Sequence, residues 1–153
     1  MRKKNKWHGS HTGTVFQTKI TNQLDELGTE YTEEKIAHSK ATAKTNRGKF
    51  DIRLINWCLE LKTTKETSIS HSLYSEDEKS VKIKGHQLTA LYKEWFTKGN
   101  EAGLLLEFRP NKPIFIHIKD FYKWATQTSR KSINRAIALE IGKEIEHIKE
   151  LIE

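Results

Sequence analysis

The sequence predicts a single compact α/β domain with a mixed central β-sheet flanked by helices. Three observations predict it. The chain has 153 residues, which suits one domain with enough chain to bury a core. Apolar residues alternate with period two through Phe50–Lys62, and the apolar runs Leu104–Phe108 and Ile114–Ile118 read as further strands. Around them, apolar stripes recur at helical spacing, with no internal repeat and no second domain.

Residues 1–12 read as a flexible basic arm, and 13–153 as the domain proper. Phe16, Ile20, Leu24 and Leu27 stripe a helix from Thr14, and Gly28 is its stop. Lys35–Ser39 reads as a short strand and Ala41–Gly48 as an exposed basic loop. Phe50–Lys62 forms two strands. With Ile55-Asn56 as a two-residue turn, the position sums pair Leu54 with Trp57, Ile52 with Leu59, and Asp51 with Glu60. Ile-Asn is not a favoured hairpin turn, so the face is better supported than the register. Thr63–Lys82 reads as a polar loop. Leu88, Leu91, Tyr92 and Trp95 stripe a helix over Gly85–Lys98, ended by Gly99. A short helix follows from Asp120 to Trp124. Ile133, Ile137, Ile141, Ile145, Ile148 and Ile152 stripe one closing helix.

Composition narrows the function. Net charge is +7 and the isoelectric point about 9.4, which favours a polyanionic partner, nucleic acid before an anionic membrane surface. The charge is concentrated at Arg2, Lys3, Lys4 and Lys6, and again at Lys40, Lys44, Arg47 and Lys49, where no acidic residue intervenes. These are the candidate DNA-backbone contacts. No apolar run approaches the roughly 20 residues that span a bilayer. Cys58 is the only cysteine, which excludes an internal disulfide and a Cys-rich zinc site and suits a reducing, cytoplasmic setting. The histidines lack zinc-site spacing. A Gly-rich phosphate loop is absent.

The chemistry is concentrated in the two central strands. Asp51 and Glu60 share one face of the hairpin, and carboxylates so placed repel unless a cation lies between them. Mg²⁺ prefers such oxygen ligands, completed by water. Lys62, two residues beyond Glu60, faces the same way and places an ammonium where charge develops on a phosphate. The bland alternative is a solvated cross-strand ion pair. Apolar flanks, a correctly phased Asp and the basic chain favour phosphodiester hydrolysis. Gln87 flanks the stripe of its helix and faces either the site or solvent. His86 reads as an exposed or capping residue and Cys58 as a buried filler. Trp57, Trp95 and Trp124 read as core, whereas Trp7 in the arm is a candidate DNA contact.

This order of a helix, an Asp, Glu60-Leu61-Lys62 and a later helix resembles the PD-(D/E)xK nucleases, and most closely the RecU-type Holliday junction resolvases. The likeness covers roughly residues 13–135. It includes Gly13-Thr14-Val15-Phe16-Gln17, the pair His86-Gln87, and Phe115-Ile116-His117-Ile118 followed by Phe121-Tyr122-Lys123-Trp124 and Arg130-Lys131-Ser132-Ile133. It implies a restriction-endonuclease-like fold and metal-dependent DNA cleavage that leaves a 5′-phosphate. It also implies a homodimer acting on four-way junctions. The implied catalytic set is Asp51, Glu60, Lys62 and Gln87. Mg²⁺ would sit on Asp51, Glu60 and Leu61, with Mn²⁺ able to substitute, and Arg130 and Lys131 join the DNA-binding candidates. Two departures stand out. Gln17 occupies the place of the family's first-helix acid, and only about ten residues, Lys40–Lys49, replace its long stalk. A restriction-type or nicking nuclease, and a non-catalytic basic nucleic-acid-binding module, remain as alternatives.

Overall fold

The computed structural model describes residues 8–33, 51–74 and 80–153. Arg2, Lys3, Lys4, Lys6 and Trp7 lie outside the described residues. So do the strand expected at Lys35–Ser39 and the loop Ala41–Gly48, with Lys40, Lys44, Arg47 and Lys49.

The first helix, α1, spans His8–Leu27 and buries Phe16, Ile20 and Leu24. It starts before Thr14, so residues 8–12, expected in the arm, are helical. That stretch carries no apolar stripe, so periodicity does not reveal it. Gly28 stops the helix at φ 69°, a left-handed conformation that costs glycine little. Then follow β1 (Thr32–Glu33), β2 (Ile52–Arg53), β3 (Trp57–Thr64) and β4 (Ser68–Ser70). Helix α2 (Gly85–Phe96) buries Leu88 and Leu91 and ends before Gly99, also left-handed. It carries the chain over to β5 (Glu101–Phe108), which pairs parallel with β3. Next come β6 (Ile114–His117), α3 (Ile118–Thr126), β7 (Ser132–Asn134), α4 (Arg135–Ile141), β8 (Lys143–Glu144) and α5 (Lys149–Ile152).

Among the described residues the main sheet has six strands in the order β1-β2-β3-β5-β6-β8, antiparallel except for β3–β5. The domain is therefore α/β with a mixed sheet. Its two faces follow from strand alternation. Leu59, Leu61, Leu105 and Phe115 point to α1 and the C-terminal Ile145 and Ile148. Cys58, Leu104, Leu106, Ile114 and Ile116 point to the opposite layer, where α2, α3 and α4 pack. Full burial of each large aliphatic side chain contributes about 1.5–3 kcal/mol. Among the described residues no helix is long and apolar enough to cross a membrane.

Two expectations are corrected. The loop expected at Thr63–Lys82 contains the end of β3 and all of β4, which pairs antiparallel with β7: Ile69, fully buried, sits opposite Ile133. The closing helix is not continuous. Asn134 caps α4 by accepting from the Ile137 N–H at 2.8 Å, which starts a new helix there. Extended Gly142 then ends α4, and β8 joins the sheet edge beside β6. From Ile133 to Ile145 the spacing is four residues, nearly helical but also a multiple of two, so that part of the isoleucine stripe fitted strand and helix alike.

Glu94 fastens α2 to the rim of the sheet. It is buried, and it accepts from Arg53 Nη2 of β2 at 3.1 Å, Asn100 Nδ2 at 2.8 Å and Lys98 Nζ at 3.2 Å. Burial pushes its carboxyl up, but these donors outweigh it and hold the group down at about 2.

Candidate active site

The register of the β2–β3 hairpin brings Asp51 and Glu60 together. Ile52 pairs with Leu59 and Arg53 with Cys58, the Leu54 N–H donates to the Trp57 carbonyl at 2.8 Å, and the Asp51 N–H donates to the Leu59 carbonyl at 3.0 Å. The arithmetic of the sequence holds through the unfavoured Ile55-Asn56 turn. Because β3 alternates, Glu60 and Lys62 share the face of Cys58, beneath α2.

Glu60 is 2% exposed. Its Oε2 accepts from Gln87 Nε2 at 2.8 Å and lies 3.2 Å from Lys62 Nζ. Burial pushes the Glu60 carboxyl up to about 8; the neighbouring Asp51 charge adds to this, and Lys62 opposes it. Burial likewise raises Asp51, against the Leu61 N–H, which donates to its Oδ2 at 2.8 Å, and the Lys62 charge. The two carboxyls also hydrogen-bond each other, so they titrate as a pair.

Each supporting contact has a local cause. Gln87 is the third residue of α2, where a long amide reaches back to the helix start: its Oε1 accepts from the Lys84 N–H at 3.0 Å, half of a capping box. The other end of the amide is thereby turned toward Glu60. Leu61 touches the site through its backbone N–H, while its side chain is buried on the other face of the sheet.

Glu33 was not among the sequence candidates. It lies on β1 opposite Ile52, accepts from Gln17 Nε2 at 2.7 Å, and its charge raises Asp51. No periodicity marks a two-residue strand. The available signal was Gln17 itself, an amide placed where the resembled family carries an acid.

The structure thus gathers Asp51, Glu60, Lys62 and Gln87, with Gln17 and Glu33 alongside. Arg130 and Lys131 stand elsewhere, exposed on the loop between α3 and β7. Cys58 is buried, and Trp57, Trp95 and Trp124 pack half-buried against the core, in keeping with their reading as core residues. Among the described residues no three His, Cys, Asp or Glu side chains form a metal cage. The donor set is two carboxylates that disfavour joint ionisation, which suits a hard divalent cation completed by water.

Neither a protein-family model nor a curated protein matches the sequence. Solved structures do match. Archaeoglobus fulgidus Hjc, a Holliday junction resolvase from an archaeal hyperthermophile, aligns over 86% of this chain and 95% of its own, with a TM-score of 0.53 and 18% identity. The chain therefore shares the fold of that archaeal protein, a mixed sheet flanked by helices.

Proposed function

We propose that this chain is a divalent-cation-dependent endonuclease that cuts branched DNA, four-way junctions above all, as a homodimer. The observation that carries this reading is the buried Asp51–Glu60 pair with Lys62 and Gln87 on one face. The fold likeness to a Holliday junction resolvase supports the substrate class. The twofold symmetry of a junction supports a dimer, since symmetric resolution needs two cuts and one chain offers one such site. The nuclease domain includes all of α1, from His8 onward. The arm residues Arg2, Lys3, Lys4 and Lys6, the 40–49 cations, and Arg130 and Lys131 contact phosphates.

Asp51 and Glu60 would hold Mg²⁺ or Mn²⁺, with the Leu61 backbone adjoining. Such an ion, when bound, supplies phosphate polarisation and a more acidic water. The chain's own groups do the rest. Lys62 carries a cation to the developing phosphorane charge and orients the attacking water. Gln87 fixes the Glu60 carboxyl, and the Leu61 N–H fixes that of Asp51, so the oxygens are set before substrate arrives. Glu33, held by the neutral Gln17 amide, adds negative charge beside Asp51 in place of a first-helix acid.

Incubation with Mg²⁺ and four-way junction, duplex or single-stranded DNA tests the reading. Paired nicks in the junction, absent with chelator, are expected, with a dimer on sedimentation. A strict monomer that nicks duplex equally well points instead to a simple nicking nuclease, and no cleavage of any substrate leaves a binding module.

Binding of the ion has its own readout. Saturating Mg²⁺ is expected to raise the unfolding temperature, by an amount equivalent to about 2.7 kcal/mol at a hundredfold excess over Kd. The shift should vanish in Asp51→Asn and Glu60→Gln. An equal shift in both variants places the ion elsewhere.

A further inference from the structure

A cavity of 360 Å³ lies between the end of β4 and the C-terminal end of α3, lined by His71, Ser72, Tyr74, Thr128, Arg130 and Lys131 among others. His71 is 4% exposed. Its ring packs edge-on against Phe121 and Trp124, at 5.4 and 5.2 Å between centroids. Among the described residues neither Nδ1 nor Nε2 has a hydrogen-bond partner. Burial pushes its pKa down; the nearby Arg130 backbone opposes this without a hydrogen bond of ordinary geometry, and the Lys131 charge adds to the lowering. The ring is therefore neutral at neutral pH.

A neutral imidazole presents one donor and one acceptor. Leaving a buried polar group without a hydrogen-bond partner is costly, so this wall calls for a polar occupant. The cavity far exceeds the roughly 30 Å³ share of one water and falls within the range of small-ligand sites. The rest of its wall specifies the occupant. Arg130 and Lys131 are exposed cations, Tyr74 presents an aromatic ring that is 62% exposed, and the lining described holds no acid. Cations for a phosphate, an aromatic face for a ring and a donor–acceptor edge for a base together match a nucleotide.

We propose that this cavity seats one unpaired nucleotide of the DNA substrate, its base edge on His71 and its phosphate on Arg130 and Lys131. The proposal rests on DNA being the substrate. A short bonded path joins this seat to the carboxylate pair. The Ser72 N–H donates to the Ile83 carbonyl at 3.1 Å, and the next residue, Lys84, gives its N–H to the Gln87 amide that holds Glu60. Seating a paired base requires extruding it from the stack, which is easiest where stacking or pairing is already interrupted, so a branch point yields a nucleotide to this seat more readily than intact duplex does.

The test is NMR of the His71 ring nitrogens in metal-free protein, titrated with deoxyadenosine monophosphate, deoxyadenosine or inorganic phosphate. The monophosphate is expected to shift the His71 resonances saturably. The nucleoside should bind about tenfold more weakly, a difference of 1.4 kcal/mol, and phosphate alone should leave the ring unmoved. The double variant Arg130→Ala, Lys131→Ala should weaken the monophosphate by a similar factor. Ser129→Trp, which fills the exposed mouth, should abolish binding without touching the buried ring. An unmoved ring, or equal binding of nucleoside and monophosphate, overturns the proposal. So does a phosphate response equal to the nucleotide's, which leaves only an anion seat. Since no cleavage is involved, a protein that cuts junctions but ignores the nucleotide refutes this seat alone. One that binds the nucleotide and cuts nothing refutes the nuclease reading.

Discussion

Glu60→Gln is expected to lower junction cleavage by about a thousandfold or more while leaving the protein at least as stable near pH 8. The loss follows from removing one of two charged oxygen donors. The stability follows from the raised carboxyl. A folded-state pKa of about 8, above the ordinary 4.5, means that the folded chain binds the proton more tightly than the unfolded one. Its stabilising contribution is full below about 4.5 and is lost as pH rises through about 8. Without metal, wild type should therefore lose stability over that window, and Glu60→Gln, which keeps a neutral side chain beside Gln87, should lose less. Asp51→Asn and Lys62→Ala should also abolish cleavage and still bind junction DNA, because phosphate contacts elsewhere carry most of the affinity. Cleavage kinetics and thermal melts across this pH range check both halves. Full cleavage by Glu60→Gln would remove the site assignment.

Gly103→Ala is expected to destabilise the fold by about 3 kcal/mol, a large effect for one methyl group. Gly103 lies in β5, between β3 and β6. A Cβ there would stand 2.5 Å from the Ile116 carbonyl oxygen and 2.5 Å from the Phe115 ring. The carbonyl belongs to a paired strand, so relief requires moving β6 away from β5. Urea unfolding should show a lower midpoint with an unchanged slope. Cleavage should fall only as far as the folded fraction falls. An unchanged midpoint would mean that the sheet yields more readily than its packing indicates.

The parts of this molecule legible in the sequence share a cause. Asp51, Glu60 and Lys62 are phased by strand alternation, and a one-residue slip would carry the buried Ile52, Leu59 and Leu61 to the opposite face of the sheet. Gly28 and Gly99 mark helix ends because the backbone there takes a positive φ. Gln87 was legible as a flanking residue, but not as both cap and carboxylate partner. What stayed hidden depends on distant neighbours. Strand β4 is a strand only because β7 lies beside it, and both are too short and polar to declare themselves. Glu33 joins the site through a pairing of β1 with β2 that no local pattern encodes. The isoleucine stripe failed for a different reason, since its spacing suited two periods at once.

The Gln87 side chain is engaged at both ends. Its oxygen is taken by the Lys84 amide, so its nitrogen must face Glu60, and the usual ambiguity of an amide's orientation is resolved by chemistry. The first turn of α2 and the carboxylate cluster thus behave as one mechanical unit. If that turn frays, Gln87 lets go of Glu60 in the same event; while it stays wound, Glu60 has little freedom to turn. Solvent exchange at a single backbone amide, that of Lys84, therefore reads how often the site comes apart.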